Sequence, residues 1–472
     1  METFVPLREG DVRLYVCGLT PSAESHLGHA RSFLFFDVLR RYLQHCGYRV
    51  TYVRNITDID DRSIGAGLQT GVPWHDIVME YYASFQRSMH ALGVAVPDAE
   101  PQATHFVPQI IDMIRALMER DYAYVSRDGV YYRVSRFARY GDLSNRNIDE
   151  LESGARIEVD ESKDNPLDFA LWKFSKPEEP KWPSPWGDGR PGWHIECSAM
   201  AHDLLDKGGA GFDIHGGGAD LIFPHHENEI AQSEPLMEHP PMANVWMHGG
   251  LLLFENKKMS KSLGNFEPLS TLLKRHDPQA IRLLFLQTGY RKVMNFTEES
   301  VLAATTALRK LQSAWRRLGA DTPSSGEGNR GALIAKIQSA LDDDMNTSLA
   351  ISEVLRFASD AQSTAGSERA AAVAQLGYAL TLLGIAPNDA WLSESRAPIA
   401  GDSWRLVREA FPEQAAHAAT IEDALGRIIA LRTRAREAKD WGESDRIRDA
   451  LAACGFVLAD SKDGTTWTTA GA

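Results

Sequence analysis

Apolar and polar side chains alternate in "VRLYVC" (12–17) like those of a half-buried strand, and "YRVTYVRN" (48–55) repeats the signal. Between them, apolar residues recur at helical spacing from about Gly28 to Cys46, with Gly47 placed to stop the helix. Strand, helix, strand predicts a βαβ unit and a parallel sheet, whose ligands sit outside the carboxyl ends of the strands. Those ends fall near Cys17 to His29 and Asn55 to Asp61. Residues from about 100 to 190 read as an insertion. It runs from helical spacing over 105–120, through strand-like "GVYYRV" (129–134), into the Pro- and Trp-rich "WKFSKPEEPKWPSPWGDGRPGW" (172–193). "GADTPSSGEGNRGA" (319–332) is a linker by composition, and Ala-rich helical spacing dominates 333–385. A small terminal unit follows, with helices over 421–438 and 442–453, Gly455 as a cap and "GFVLADSKDGTTW" as a hairpin.

The chain's 472 residues favour two or more domains, and 43% hydrophobic with 24% charged residues is ordinary for a globular protein. A formal charge of −14 disfavours nonspecific coating of nucleic acid but leaves room for a local basic face. Four cysteines without a CxxC pair fit reduced thiols rather than a disulfide framework. No apolar run is long enough to span a bilayer and "METFVPLREGD" lacks the features of a secretion signal, so the expectation is a cytoplasmic protein with no membrane partner.

Three constellations carry candidate chemistry. "HLGHAR" (26–31) lies between a strand and a helix, where unpaired N–H groups attract phosphate; Gly28 permits close approach, and His26 and His29 can donate to phosphate oxygens. "KKMSKSLGN" (257–265) suits either a solvated loop or a cationic clamp on a breaking phosphoanhydride. In "FDIHGGGADLIFPHHENEIAQSE" (212–234), Pro224 suits the first turn of a helix, which would set His225 and Glu229 on one face. Those two could share one ion with Cys17 and Cys197, read at two strand ends, since zinc takes mixed sulfur, nitrogen and oxygen donors. A solvated polar helix start with two buried, inert cysteines accounts for the same letters.

"HLGH" followed about 230 residues later by "KMSKS" resembles the paired signatures of class I aminoacyl-tRNA synthetases. "YVCGLT", "YVRNITDIDDR", "NPLDFALWK", "PGWHIECSAMA" and "FDIHGGGADLIFPHHENEIAQSE" are similar to the cysteinyl-tRNA synthetase family in particular, as are "DDDMNTSLA" and "AREAKDWGESDRIRDAL" with "GTTW". The resemblance implies a Rossmann-like parallel-sheet catalytic domain over 1–255 that carries the insertion. It further implies a lysine-loop and stem-contact region over 256–318, a helical bundle over 333–400 and a small α+β anticodon-binding domain over 401–472. It implies one zinc ion per chain on Cys17, Cys197, His225 and Glu229. Cysteine would be held by Gly18, Thr57, Trp193, His215 and Asp220, while His226 and Glu227 are read as structural. Thr20, His26, Gly28, His29 and Lys261 would bind ATP with its magnesium, and Lys258 with Lys261 would stabilise departing pyrophosphate. The implied partners are ATP, L-cysteine and tRNA(Cys), acting on a monomer. Basic residues in "LRKLQSAWRR" (308–317) and Trp441 are candidates for RNA contact. One departure stands out. The family usually has a hydrophobic residue, tyrosine and aspartate after the threonine of its first loop, where this chain has Pro21, Ser22 and Ala23. The change leans towards a paralogous ligase that joins cysteine to an amino sugar, whereas the retained lysine signature and terminal region favour the tRNA enzyme.

Overall fold

The computed structural model describes residues 3–147, 163–206, 209–258, 267–318, 330–388, 391, 403–416, 418, 420–461 and 464–469. It divides into two compact units, residues 1–387 and 388–472.

The first unit begins with the strand β1 (Asp11–Leu19), the helix α1 (Leu27–His45) and the strand β2 (Arg49–Ile56). α1 forms because Leu27, Ala30, Leu34, Val38 and Leu39 fall on one buried stripe, and it ends where Gly47 takes φ 93°. Helices α2 (Asp61–Thr70), α3 (Trp74–Ala91) and α4 (Val107–Glu119) follow. Strands β3 (Ala123–Val125), β4 (Gly129–Tyr132), β5 (Phe169–Phe174) and β6 (Gly189–Pro191) then build an antiparallel sheet in that order. Its inner face packs Val130, Tyr132, Leu171 and Trp172 against Ile110, Ile114 and Leu117 of α4.

The chain returns through α5 (Trp193–Leu204), β7 (Phe212–Gly218), α6 (Glu227–Ser233) and β8 (Ala243–Gly249). The main sheet is parallel, in the order β2-β1-β7-β8. The chain steps from β1 to β2 on one side and from β7 to β8 on the other, so a crevice opens at the carboxyl ends of β1 and β7. A small sheet of β9 (Leu252–Phe254), β10 (Lys257–Lys258) and β11 (Met294–Phe296) sits after it, with α7 (Leu269–Arg275) and α8 (Pro278–Leu286) between β10 and β11. Helices α9 (Glu298–Arg317), α10 (Ala332–Asp342), α11 (Thr347–Asp360) and α12 (Gly366–Leu382) complete the unit.

A fully buried ion pair joins α1 and α8 and reaches the carboxyl-terminal caps of α3 and α12. Arg282 of α8 meets Asp37 of α1 at 2.5 Å and donates to the carbonyls of Leu383 and Leu92, while Arg41 holds the same carboxylate at 2.9 Å. The arginines and the amide of Ala95 keep Asp37 below the usual carboxylate range against the cost of burial.

In the second unit, α13 (Ser403–Ala410), α14 (Pro412–Ala416), α15 (Ile421–Glu437) and α16 (Trp441–Ala453) precede the hairpin β12 (Phe456–Ser461) and β13 (Gly464–Thr469). Its core gathers Val407, Leu425, Ile428, Ile447, Leu451 and Phe456. Among the described residues no helix is long and apolar enough to cross a membrane.

Candidate metal and substrate site

At the crevice the expected donors come together. Cys17 lies near the end of β1 and Glu229 on α6. His225 lies on the wide turn Ile222–His226 that carries Pro224 ahead of that helix. Cys197 was expected at a strand end; it lies instead in the middle of α5. The reason is local: Gly192 is extended at φ −70°, ψ 153°, and the chain turns helical from Trp193, so Trp193 and Cys197 share one face. All four residues are essentially buried and their donor atoms lie within 4.8 Å of one another. Cys17 Sγ is 3.7 Å from Cys197 Sγ and 3.3 Å from Glu229 Oε1, which is 3.1 Å from His225 Nε2. A tetrahedral ion with metal–sulfur bonds of about 2.3 Å sets two sulfurs about 3.8 Å apart. The donor set fits such an ion. Cys17 and Glu229 also group with His215 and His226.

The charges fit as well. Burial raises the Cys17 thiol well above its ordinary value. The hydrogen bond from Cys17 brings Cys197 down to about 6 despite burial. Burial opposes a charge on His225, but the Cys197 and Glu229 anions outweigh it and raise the imidazole to about 10. Glu229, equally buried, is held well below the carboxylate range by His215 and His225.

Around this centre, His215 of β7 is fully buried, with Nε2 2.9 Å from Glu229 Oε2. Trp193 is exposed, its ring 4.5 Å from that of His225, and exposed Asp220 lies on the turn after β7. Thr57 follows β2 and accepts from Asn55 Nδ2 at 3.3 Å, while Asn55 Oδ1 accepts from Gly18 N at 2.7 Å. A Cβ on Gly18 would lie 1.6 Å from the Asn55 carbonyl oxygen, so only glycine fits there. Glu227 accepts from the amides of Gly141 and Ser144, both at 2.9 Å, and His226 pairs with His248 at 2.8 Å. Thus the first residue of α6 also grips a loop of the insertion.

Five residues of this site escape the sequence reading. Tyr15 shares the strand face of Cys17 and its ring is 5.3 Å from His215, on which Trp246 stacks at 4.5 Å. His194 Nδ1 meets His225 Nδ1 at 3.0 Å, and buried Glu196 is raised well above the carboxylate range by burial and the neighbouring Cys197 and Asp58. His248, one strand step pair beyond Trp246, is lowered to about 4 by burial, His215 and Arg291. Two-residue alternation on β1 and β8 is the signal that finds Tyr15, Trp246 and His248.

His26 and His29 lie at the start of α1, rings stacked at 3.8 Å. His26 Nδ1 accepts from Gly28 N at 3.1 Å and His29 Nδ1 from His26 N at 3.2 Å. Each ring therefore carries its hydrogen on Nε2, leaving that atom as a donor. Burial, with His26 and Arg62, lowers His29 to about 3. A Cβ on Gly28 would crowd the His26 ring at 2.9 Å. Thr20 is half-buried beyond β1. Lys258 ends β10 opposite Leu253; its side chain and Lys261 lie outside the described residues.

Solved structures with this architecture include methionyl-tRNA synthetase of Mycobacterium tuberculosis bound by methionyl-adenylate (TM-score 0.56, 16% identity, 86% of this chain and 93% of that one). Another is the Agrobacterium radiobacter K84 leucyl enzyme in a ternary complex (TM-score 0.59, 11% identity, 83% and 89%). The fold is that of class I aminoacyl-tRNA synthetases. A family model described as the tRNA synthetases class I (C) catalytic domain matches residues 3–306, and the cysteinyl-tRNA ligase anticodon binding domain matches 420–467. Cysteine–tRNA ligases of Alkalilimnicola ehrlichii and Methylococcus capsulatus are 44% and 45% identical, each over 99% of this chain and 97% of the relative. The chain belongs to the cysteine–tRNA ligase family.

Proposed function

We propose that the chain is a cysteine–tRNA ligase that joins L-cysteine to ATP as cysteinyl-adenylate, releasing pyrophosphate, and passes the cysteinyl group to the 3′ end of tRNA(Cys). The observation that carries this reading is the meeting of Cys17, Cys197, His225 and Glu229 at the carboxyl ends of β1 and β7. These residues would hold one zinc ion, which when bound favours a deprotonated thiol over an alcohol. Shape alone separates cysteine from serine by only ~1–3 kcal/mol, so a sulfur-reading site matters. Gly18, Thr57, Trp193, His215 and Asp220 would line the amino-acid pocket, with Asn55 fixing Thr57.

His26 and His29, as neutral Nε2–H donors at a helix start, would hold phosphates of ATP accompanied by magnesium, with Thr20 and Gly28 beside them. Lys258 and Lys261 would stabilise the departing pyrophosphate. No protein nucleophile is needed, because orientation and charge stabilisation suffice for in-line attack by the cysteine carboxylate. In this reading residues 1–255 are the catalytic domain, 256–318 the lysine-loop and stem-contact region, 333–400 a helical bundle, and 401–472 the anticodon-binding domain. The decisive test is ATP–pyrophosphate exchange with cysteine against serine, then charging of tRNA(Cys). Exchange without discrimination, or transfer only to a small amine, would overturn it.

A further inference from the structure

Arg31 lies two residues after His29 on α1 and is 6% exposed. Its guanidinium is spent on main-chain carbonyls from two distant segments. Nη1 donates to Gly250 and Leu251, both at 3.0 Å; Nη2 donates to Lys292 at 2.6 Å, Gly289 at 3.2 Å and Tyr290 at 3.5 Å. The first segment is the exit of β8 into β9. The second is the turn that leads into β11.

These segments are also bonded to each other, Gly250 N to the Tyr290 carbonyl at 2.6 Å and Met294 N to that of Leu251 at 3.0 Å. The Tyr290 ring stacks on Phe35 of α1 at 4.0 Å and 10°. β9 pairs with β11 on one side and with β10, which carries Lys258, on the other. Arg31, with the Phe35–Tyr290 stack beside it, therefore fastens the three-stranded sheet to the helix whose first turn holds His26 and His29.

We propose that Arg31 is a positioning residue for adenylate formation, fixing the separation between the paired histidines and the strand that carries Lys258. The inference rests on reading those groups as handlers of the ATP phosphates. Arginine is required because a planar fork of five donors reaches both segments at once, whereas lysine keeps the charge but presents a single nitrogen. The reaction is sensitive to such spacing, since a 1 Å misplacement costs about 100-fold in rate.

The test uses the full chain with rates normalised to titrated active sites. Arg31→Lys is expected to slow ATP–pyrophosphate exchange about 10- to 100-fold. The KM for cysteine, the metal content and single-turnover transfer from preformed cysteinyl-adenylate should stay within about twofold of the parent. Arg31→Ala should regain part of its exchange rate with added guanidinium ion, to which the parent does not respond. A parent-like exchange rate in Arg31→Lys, or equal losses in cysteine binding, transfer and exchange, overturns the proposal. His29→Asn separates the two readings. If it exchanges normally, the phosphate role fails and the proposal with it; if it is slow while Arg31→Lys is normal, only the proposal fails.

Discussion

Refilling the emptied four-residue site with zinc is expected to expel about two protons per ion at about pH 7.5. Without an ion, Cys197, brought to about 6, is already a thiolate, and Glu229, held well below the carboxylate range, is ionised. Cys17 keeps its proton because burial raises it, and His225, at about 10, is an imidazolium. Coordination needs two thiolates, a carboxylate and a neutral imidazole. One proton therefore leaves Cys17 and one leaves His225. Below about pH 6 Cys197 is protonated as well and the count climbs towards three; above about pH 10 His225 has already lost its proton and the count falls towards one. Between those limits the apparent affinity should rise about 100-fold per pH unit. Calorimetric zinc titrations in buffers of different protonation enthalpy read the count as a slope. A slope of zero or one proton at about pH 7.5 would refute either the ligand set or the charge states assigned to it.

Three further outcomes are expected. Cys197→Ser removes one of four donors from a site of the kind that contributes about 10–16 kcal/mol, so zinc should bind about 100- to 1,000-fold more weakly and serine should begin to support exchange. Full metal stoichiometry at parent affinity would sink the assignment. Arg282→Met strands the buried Asp37 with Arg41 alone and should cost about 3–5 kcal/mol in urea unfolding, much of it recovered by adding Asp37→Leu. A loss below about 1 kcal/mol contradicts the account of that pair. His29, held neutral down to about 3, contributes stability that is present above about pH 6.5 and is lost as pH falls, because only the unfolded chain then takes up the proton. The loss between about pH 7.5 and 5.5 should be smaller by about 1 kcal/mol in His29→Asn, and an unchanged loss argues against the buried, neutral ring.

Much of the fold was legible because it is written in short-range periodicity. Alternation located β1 and β2 to within a residue or two, Gly47 ended α1, and the terminal helices and hairpin followed from spacing and turn residues. The donors Cys17, Cys197, His225 and Glu229 are 212 positions apart at the extremes; helical spacing joins His225 to Glu229, but no local pattern links the two cysteines to them. Family resemblance brought them together in the reading of the chain, and the fold does so in space. What stayed hidden was second-tier placement. His194 reaches His225 because α5 crosses beside α6, and Glu196 is buried by the same packing. Neither fact has a signature in neighbouring letters. Cys197 was read at a strand end, yet the extended Gly192 ahead of its segment starts a helix there.

The grip of Glu227 on the amides of Gly141 and Ser144 has a practical corollary. The inserted module is fastened two residues from Glu229, so pruning it to make a minimal enzyme would strand the buried Glu227 side chain without its partners beside the four-donor cluster. A shortened design that keeps function has to retain that loop, or swap Glu227 for a neutral side chain of like shape in the same step.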